Sequence, residues 1–206
     1  MKIEKVTDSK YKITGLVRSN IVRDILELFN ITVHYNKDSE ITVVNVSSVI
    51  TFSQWEKMQK HDKIDYIQAE DLFDNFAAMS LYLEKIGLQL ATLDNNNLIV
   101  INNNIFIPTN MDHLYIIKDQ HITIDAPYSK NNPFLSLELH NNNKIPYSIN
   151  YKCFYSSLAL LIYDKLIGDK NKDYLDGLRP IFGSRLYWLL RYCLLQNPEE
   201  RLIVIV

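Results

Sequence analysis

Glycine, proline and cysteine are scarce in this chain, at 5, 6 and 2 of 206 residues. Each scarcity excludes something. Phosphate-cradling loops of the GxxxxGK and GxGxxG kind need two or three glycines within a few positions, and Gly15, Gly87, Gly168, Gly177 and Gly183 never fall into such spacing. Cys153 and Cys193 stand forty residues apart, each inside an apolar helical pattern. That excludes a disulfide framework and reads as two buried thiols in a reducing compartment. There is no CxxC pair and no HxH or HExxH spacing among His34, His61, His113, His121 and His140, so the histidines give no metal site. No GxSxG elbow occurs. Long hydrophobic runs are missing too: the longest, residues 154–163, is about half of the ~20 residues a membrane span needs. Nor is there an excess of one charge, with 22 basic residues against 24 acidic and a net charge of −2. Near-neutrality removes any global attraction to nucleic acid or to an anionic membrane, and basic residues do not interleave with aromatics. The opening Met1-Lys2-Ile3-Glu4-Lys5 alternates charge where a secretory leader would be apolar. The expectation is an intracellular protein with no membrane and no nucleic acid partner.

What is present is a globular composition, 47% apolar and 22% charged. It carries 25 Ile, 20 Asn and 16 Lys. An A/T-rich coding sequence filling surface loops accounts for this bias, because the Asn triplets sit singly between apolar runs rather than in a prion-like tract. Residues 2–6 and 11–14 read as strands around the Asp8-Ser9 turn. Asn20 is the expected cap of a helix with Ile21, Ile25, Leu28 and Phe29 on its apolar stripe. Residues 32–35 and 41–46 read as two more strands, and Ser53 or Thr51 caps a short helix running to Lys60. The strongest helical signal spans residues 66–85, with Gly87 as its stop. Residues 88–124 then change to short strands cut by polar turns. Helices return over 154–167 and 184–195, the latter stopped by Asn197-Pro198, and residues 202–206 read as packing or a short strand.

In its second half the sequence becomes specific. The segments Asn97-Leu98-Ile99-Val100, Ile124-Asp125-Ala126-Pro127, Pro133-Phe134-Leu135-Ser136-Leu137-Glu138-Leu139, Tyr155-Ser156-Ser157-Leu158-Ala159-Leu160-Leu161 and Arg191-Tyr192-Cys193-Leu194-Leu195-Gln196-Asn197-Pro198-Glu199-Glu200-Arg201 follow one another. Together they resemble the C-lobe of protein kinases, nearest to the shortened, divergent kinase-like (pseudokinase) proteins of large DNA viruses that infect protists. The likeness covers residues 66–206, and the first 65 only by element order. It implies an α+β, protein-kinase-like two-lobe fold. Residues 1–50 would form a reduced N-lobe of few strands and one helix, and residues 51–206 a mainly helical, truncated C-lobe.

Position by position, the resemblance favours scaffold over chemistry. Ser136-Leu137-Glu138 is similar to the family's Ala-Pro-Glu, whose Glu pairs with an Arg near the last helices, so the resemblance implies a structural ion pair between Glu138 and Arg201. With Asn97 as the metal-binding Asn, the family's His-Arg-Asp falls on Leu90-Ala91-Thr92. Thr92 then stands where a carboxylate should accept the substrate's proton. Asp94 is the weaker candidate for that role and sits where a phosphate-neutralising Lys is usual. Asn95, Asn96 and Asn97 are interchangeable by sequence, which leaves this register open. Asp125-Ala126-Pro127 stands for Asp-Phe-Gly, leaving Asp125 and Asn97 as a possible Mg²⁺ pair. Lys12 is the positional candidate for the ATP-binding Lys, with Glu27 as its partner. No catalytic set is intact by this reading and no cofactor is expected, Mg-ATP being the group if any nucleotide binds. Three functions stay open: a kinase-fold binding or scaffold module without phosphotransfer, acting on protein partners; a residual ATP-dependent Ser/Thr kinase or nucleotide binder; and an unrelated α+β interaction protein.

Overall fold

A computed structural model describes residues 1–37, 39–59, 63–142, 144–168 and 174–203. Among these residues the architecture is α+β, with seven α-helices and several small antiparallel sheets. No described helix is long and apolar enough to cross a membrane. Two compact units emerge, Met1–Gln59 with Asn95–Asp112, and Lys60–Asp94 with His113–Val206. This division differs from the sequence partition at residue 50, because a hairpin that begins near residue 98 pairs with a strand at residues 49–51.

In the first unit β1 (Lys2–Thr7), β2 (Lys10–Thr14), β3 (Thr32–Lys37) and β4 (Glu40–Val44) form an antiparallel sheet in the order β1-β2-β4-β3. Strand alternation buries Tyr11 and Ile13 of β2 and leaves Lys10, Lys12 and Thr14 half-open. Helix α1 (Ser19–Leu28) packs on β3 and β4 through Val22, Ile25 and Leu26. Its cap is not Asn20: Arg18 takes a left-handed conformation (φ 52°) and starts the helix early, with no side-chain cap bond. Strand β5 (Val49–Thr51) leads into α2 (Phe52–Lys57). Thr51 and Gln54 close a reciprocal capping box there, with Gln54 N donating to Thr51 Oγ1 at 3.2 Å and Thr51 N to Gln54 Oε1 at 3.0 Å. This helix ends at Lys57; Lys60, its expected end, lies outside the described residues.

Strand β5 joins the hairpin of β7 (Leu98–Ile101) and β8 (Ile105–Pro108) in a three-stranded sheet. The rings of Phe52, Trp55 and Phe106 cluster with centroids 5.0–6.1 Å apart. At the hairpin tip Asn102 and Asn103 have φ of 52° and 67°, and Asn104 N donates to Ile101 O at 3.3 Å. Two positive φ angles are what such a turn requires, and Asn tolerates them best after Gly. Asn30 and Asn45 also stand at positive φ. Asparagine thus takes positions that a glycine-richer sequence would give to glycine.

The second unit is built on α3 (Tyr66–Lys85) and α5 (Cys153–Leu166). Asp65 caps α3, accepting from Gln68 N at 2.8 Å, and Gly87 at φ 75° follows its end. Residues 153–163 of α5 are all buried, and both α3 and α7 (Arg185–Cys193) pack on this helix. Two-stranded sheets form from β6 (Leu88–Leu90) with β9 (Leu114–Ile116), and from β10 (His121–Ile124) with β11 (Tyr147–Asn150). Short helices α4 (Leu137–Asn141) and α6 (Tyr174–Gly177) complete the unit. Helix α7 stops at Cys193, short of residue 195. Asn197 instead caps a 3₁₀ turn, Pro198–Glu200, accepting from Glu199 N at 3.2 Å. Both cysteines are buried free thiols. Residues 202 and 203 are irregular, and 204–206 lie outside the described residues.

Candidate functional site

Of the residues singled out by sequence, Lys12 and Asn97 fall in the first unit, and Thr92, Asp94, Asp125, Glu138 and Arg201 in the second. Neither unit alone therefore assembles the expected set.

Lys12 projects from β2 and its Nζ lies 2.9 Å from Glu40 Oε2. The β2–β4 register sets Lys12 opposite Thr42 and Thr14 opposite Glu40, so Lys12 and Glu40 are diagonal neighbours on one face. The expected partner, Glu27, instead lies 3.9 Å from Arg23 on its own helix. Asn97 ends a 3₁₀ turn, Asn95–Asn97, and its carbonyl accepts from Thr109 N at 2.8 Å and Thr109 Oγ1 at 2.9 Å. Asp125 lies just beyond β10 and is exposed, while Asp94 is half-buried. Among the described residues no group of three His, Cys, Asp or Glu side chains could hold a metal ion; His61 lies outside them.

Thr92 is buried, and its hydroxyl is committed. Thr92 Oγ1 shares a hydrogen bond with Ser157 Oγ at 3.1 Å and accepts from Asn132 Nδ2 at 3.2 Å. Ser157 Oγ also accepts from Leu93 N at 2.9 Å, and Asn132 Nδ2 donates to Leu93 O at 2.7 Å. Asn132 Oδ1 in turn accepts from Phe134 N at 3.0 Å. The loop after β6, helix α5 and the segment before α4 are thus tied through hydroxyl and amide groups, with no carboxylate. Sequence reasoning missed Ser157 and Asn132. The trace of Ser157 was a serine pair inside a largely apolar helix, where buried hydroxyls must find partners; Asn132 left none.

Glu138, in the first turn of α4, meets Arg201 just after the last 3₁₀ turn, with Nη2 2.6 Å from Oε1. Arg201 is 1% exposed, and its side chain also donates to Leu195 O at 2.8 Å, Gln196 O at 3.3 Å and Lys152 O at 3.4 Å. The guanidinium is held by one carboxylate and three carbonyls, a use of its planar fork that lysine could not copy. Cys153 stands beside this pair, its Sγ 3.4 Å from Ala91 O. Burial and the Glu138 carboxylate push the thiol up, and Arg201 partly opposes them.

A second polar knot joins α3, β6 and α5. Glu84 Oε1 accepts from Tyr155 Oη at 2.7 Å, Ser80 Oγ at 3.0 Å and Gln89 Nε2 at 3.1 Å. Burial and the carboxylate raise the Tyr155 phenol well above its ordinary value. A cavity of 280 Å³ is lined by Pro127, Tyr128, Lys130, Asn142, Ile145 and Tyr147. Its lysine is already engaged: Lys130 Nζ donates to Leu139 O at 2.6 Å, to His140 O at 3.0 Å and to Asn142 O, capping the end of α4. Among the described lining residues Lys130 is the only cation, and its ammonium donors are taken up by the carbonyls that end α4. No protein-family model matches the chain, and no curated protein matches it.

Proposed function

We propose that this chain is a degenerate protein-kinase-like protein that has lost phosphotransfer and works as a binding or scaffold module for protein partners inside the cell. The observation that carries the reading is the partly buried Glu138–Arg201 pair. It fastens the segment Ser136-Leu137-Glu138 to the chain after Asn197-Pro198, the tie that the resemblance requires of a kinase-like C-lobe. Loss of chemistry is supported at Thr92. A threonine cannot serve as a carboxylate base, and this one already shares its hydroxyl with Ser157 and Asn132. A missing general base alone costs roughly 10²–10⁴ in rate. Lys12 adds to this: it is paired to Glu40 on its own sheet, and glycine scarcity leaves no loop to hold phosphates.

Thermal melting with and without Mg-ATP, together with transfer of radiolabelled γ-phosphate to a generic protein substrate, tests the proposal. No shift and no transfer are expected. A stabilisation of several degrees that Asp125→Asn abolishes would establish residual nucleotide binding, and measurable transfer would establish a kinase; either overturns the proposal.

A further inference from the structure

Helix α7 and the turn before it carry aromatic side chains that the fold leaves in solvent. Phe182 is 70% exposed, Trp188 40% and Tyr192 39%. The Phe182 ring lies 5.0 Å from Tyr187 and 6.5 Å from Trp188, and Trp188 meets Tyr187 edge-on at 5.0 Å. Tyr187 is buried and anchors the group. Residues 188, 191 and 192 share one helical face by their spacing of three and four. On that face the Arg191 guanidinium lies 5.3 Å from the Trp188 ring centroid. Two other arginines nearby already have carboxylates: Arg179 meets Asp176 at 2.8 Å and Arg185 meets Asp74 at 2.6 Å. Among the described residues Arg191 meets no carboxylate; Trp188 is its contact.

We propose that Phe182, Trp188, Tyr192 and Arg191 form a docking surface for an acidic peptide segment that lays an apolar side chain on the rings and a carboxylate on Arg191. Two physical arguments select this occupant. Covering the rings with a purely apolar or neutral partner would take the Arg191 charge out of water with no counter-ion, which is strongly unfavourable. A guanidinium lying on an aromatic face keeps its N–H edges open to a bidentate carboxylate, and the ring then reinforces the charge pair. Size argues for a peptide over a second copy or a folded domain. Three partly exposed rings and one guanidinium offer far less than the ~800 Å² per side of a stable interface between folded partners. Tryptophan, tyrosine and arginine are also the residues in which binding hot spots are enriched. This surface deepens the reading as a binding module by giving its partner a chemistry.

The test is selection from a displayed library of random twelve-residue peptides on the intact chain, with Phe182→Ser as the counter-selecting bait. Selected sequences are expected to carry Asp or Glu within a few positions of an aromatic or large aliphatic residue. Their synthetic forms should shift the fluorescence of Trp188, since the other tryptophan, Trp55, is buried. Affinity should fall at least tenfold for Arg191→Gln, for Phe182→Ser, and for peptides with Asn and Gln in place of the acids. Both altered side chains are exposed, so melting temperatures should stay at the parent value. No enrichment over the bait, enrichment of peptides without acids, or indifference to Arg191→Gln each overturns the proposal. A dimer in sedimentation equilibrium that Phe182→Ser dissolves overturns it too. The Mg-ATP and phosphate-transfer assays do not depend on this surface, so a positive result there removes the loss of phosphotransfer alone, and a failed selection removes the docking surface alone.

Discussion

Cutting the Glu138–Arg201 pair from either side should not cost the same. Replacing Glu138 by Ala leaves the Arg201 guanidinium in a site where it is 1% exposed, but with Leu195 O, Gln196 O and Lys152 O still accepting from it. Breaking a buried pair typically costs about 3–5 kcal/mol; the surviving carbonyl partners place Glu138→Ala near 3 kcal/mol by that estimate. Arg201→Met leaves the half-buried Glu138 carboxylate, whose second oxygen already lacks a hydrogen bond among the described residues, without its counter-ion and removes the donor from three carbonyls at once. A buried acceptor left unmade costs about 1–3 kcal/mol, so this variant should cost more. Glu138→Gln keeps an acceptor for Nη2 and should cost least, about 1.5–3 kcal/mol for a lost charged hydrogen bond. The double variant Glu138→Ala/Arg201→Met should cost less than the sum of the singles by about 0.5–3 kcal/mol, since each single leaves the other's charge buried. Urea unfolding at constant slope reads these differences. In a Trp55→Phe background the remaining tryptophan, Trp188, reports on the second unit alone. A cost for Glu138→Ala below about 1 kcal/mol, the range of an exposed pair, would refute the buried clamp. Arg201→Met costing no more than Glu138→Ala would refute the carbonyl argument.

Ser157→Ala should destabilise by about 1–3 kcal/mol, because the buried Leu93 amide loses its acceptor; an equilibrium denaturation curve matching the parent would count against the polar tie. Alkaline stability follows from the thiols and phenols. Burial pushes Cys193 from 9.0 to about 12 and raises Cys153, Tyr147 and Tyr155 as well. The folded chain then holds protons that the unfolded chain releases, so this stability is whole below pH 9 and drains as pH climbs from there towards the folded values. Urea midpoints should fall between pH 9 and pH 11, less steeply in Cys193→Ala, and a flat profile would contradict the assignment. Gly177→Ala should cost about 1–3 kcal/mol of overpacking, since a Cβ there would run into the buried Tyr163 phenol; an unchanged melting temperature would show that the ring yields freely.

Sequence and structure agree best where the signal is local. Helix α3 runs from Tyr66 to Lys85 as its periodicity implies, because Asp65, Gln68 and Gly87 carry its start and stop within a few residues. Helix α1 was visible but its first turn was not: Arg18 adopts a left-handed conformation, which no local preference of arginine announces. Strands of three or four residues, such as β5, β6 and β11, have too little pattern to be seen alone and exist by pairing with β7, β9 and β10.

The candidate site divides along the same line. What the sequence by itself determined is a matter of composition and residue type: too few glycines for a phosphate loop, threonine at position 92, and an acid and an arginine of the right kind at 138 and 201. Tertiary structure decided which of these meet. It joined Glu138 to Arg201 across 63 residues, gave Lys12 to Glu40 rather than Glu27, and tied Thr92 to Ser157 and Asn132. It also left Phe182 and Trp188 in solvent although both are residues that usually pack inside. A side chain's chemistry travels with its letter, but its partner depends on strand register and helix packing, which only the whole chain's burial of its apolar surface selects.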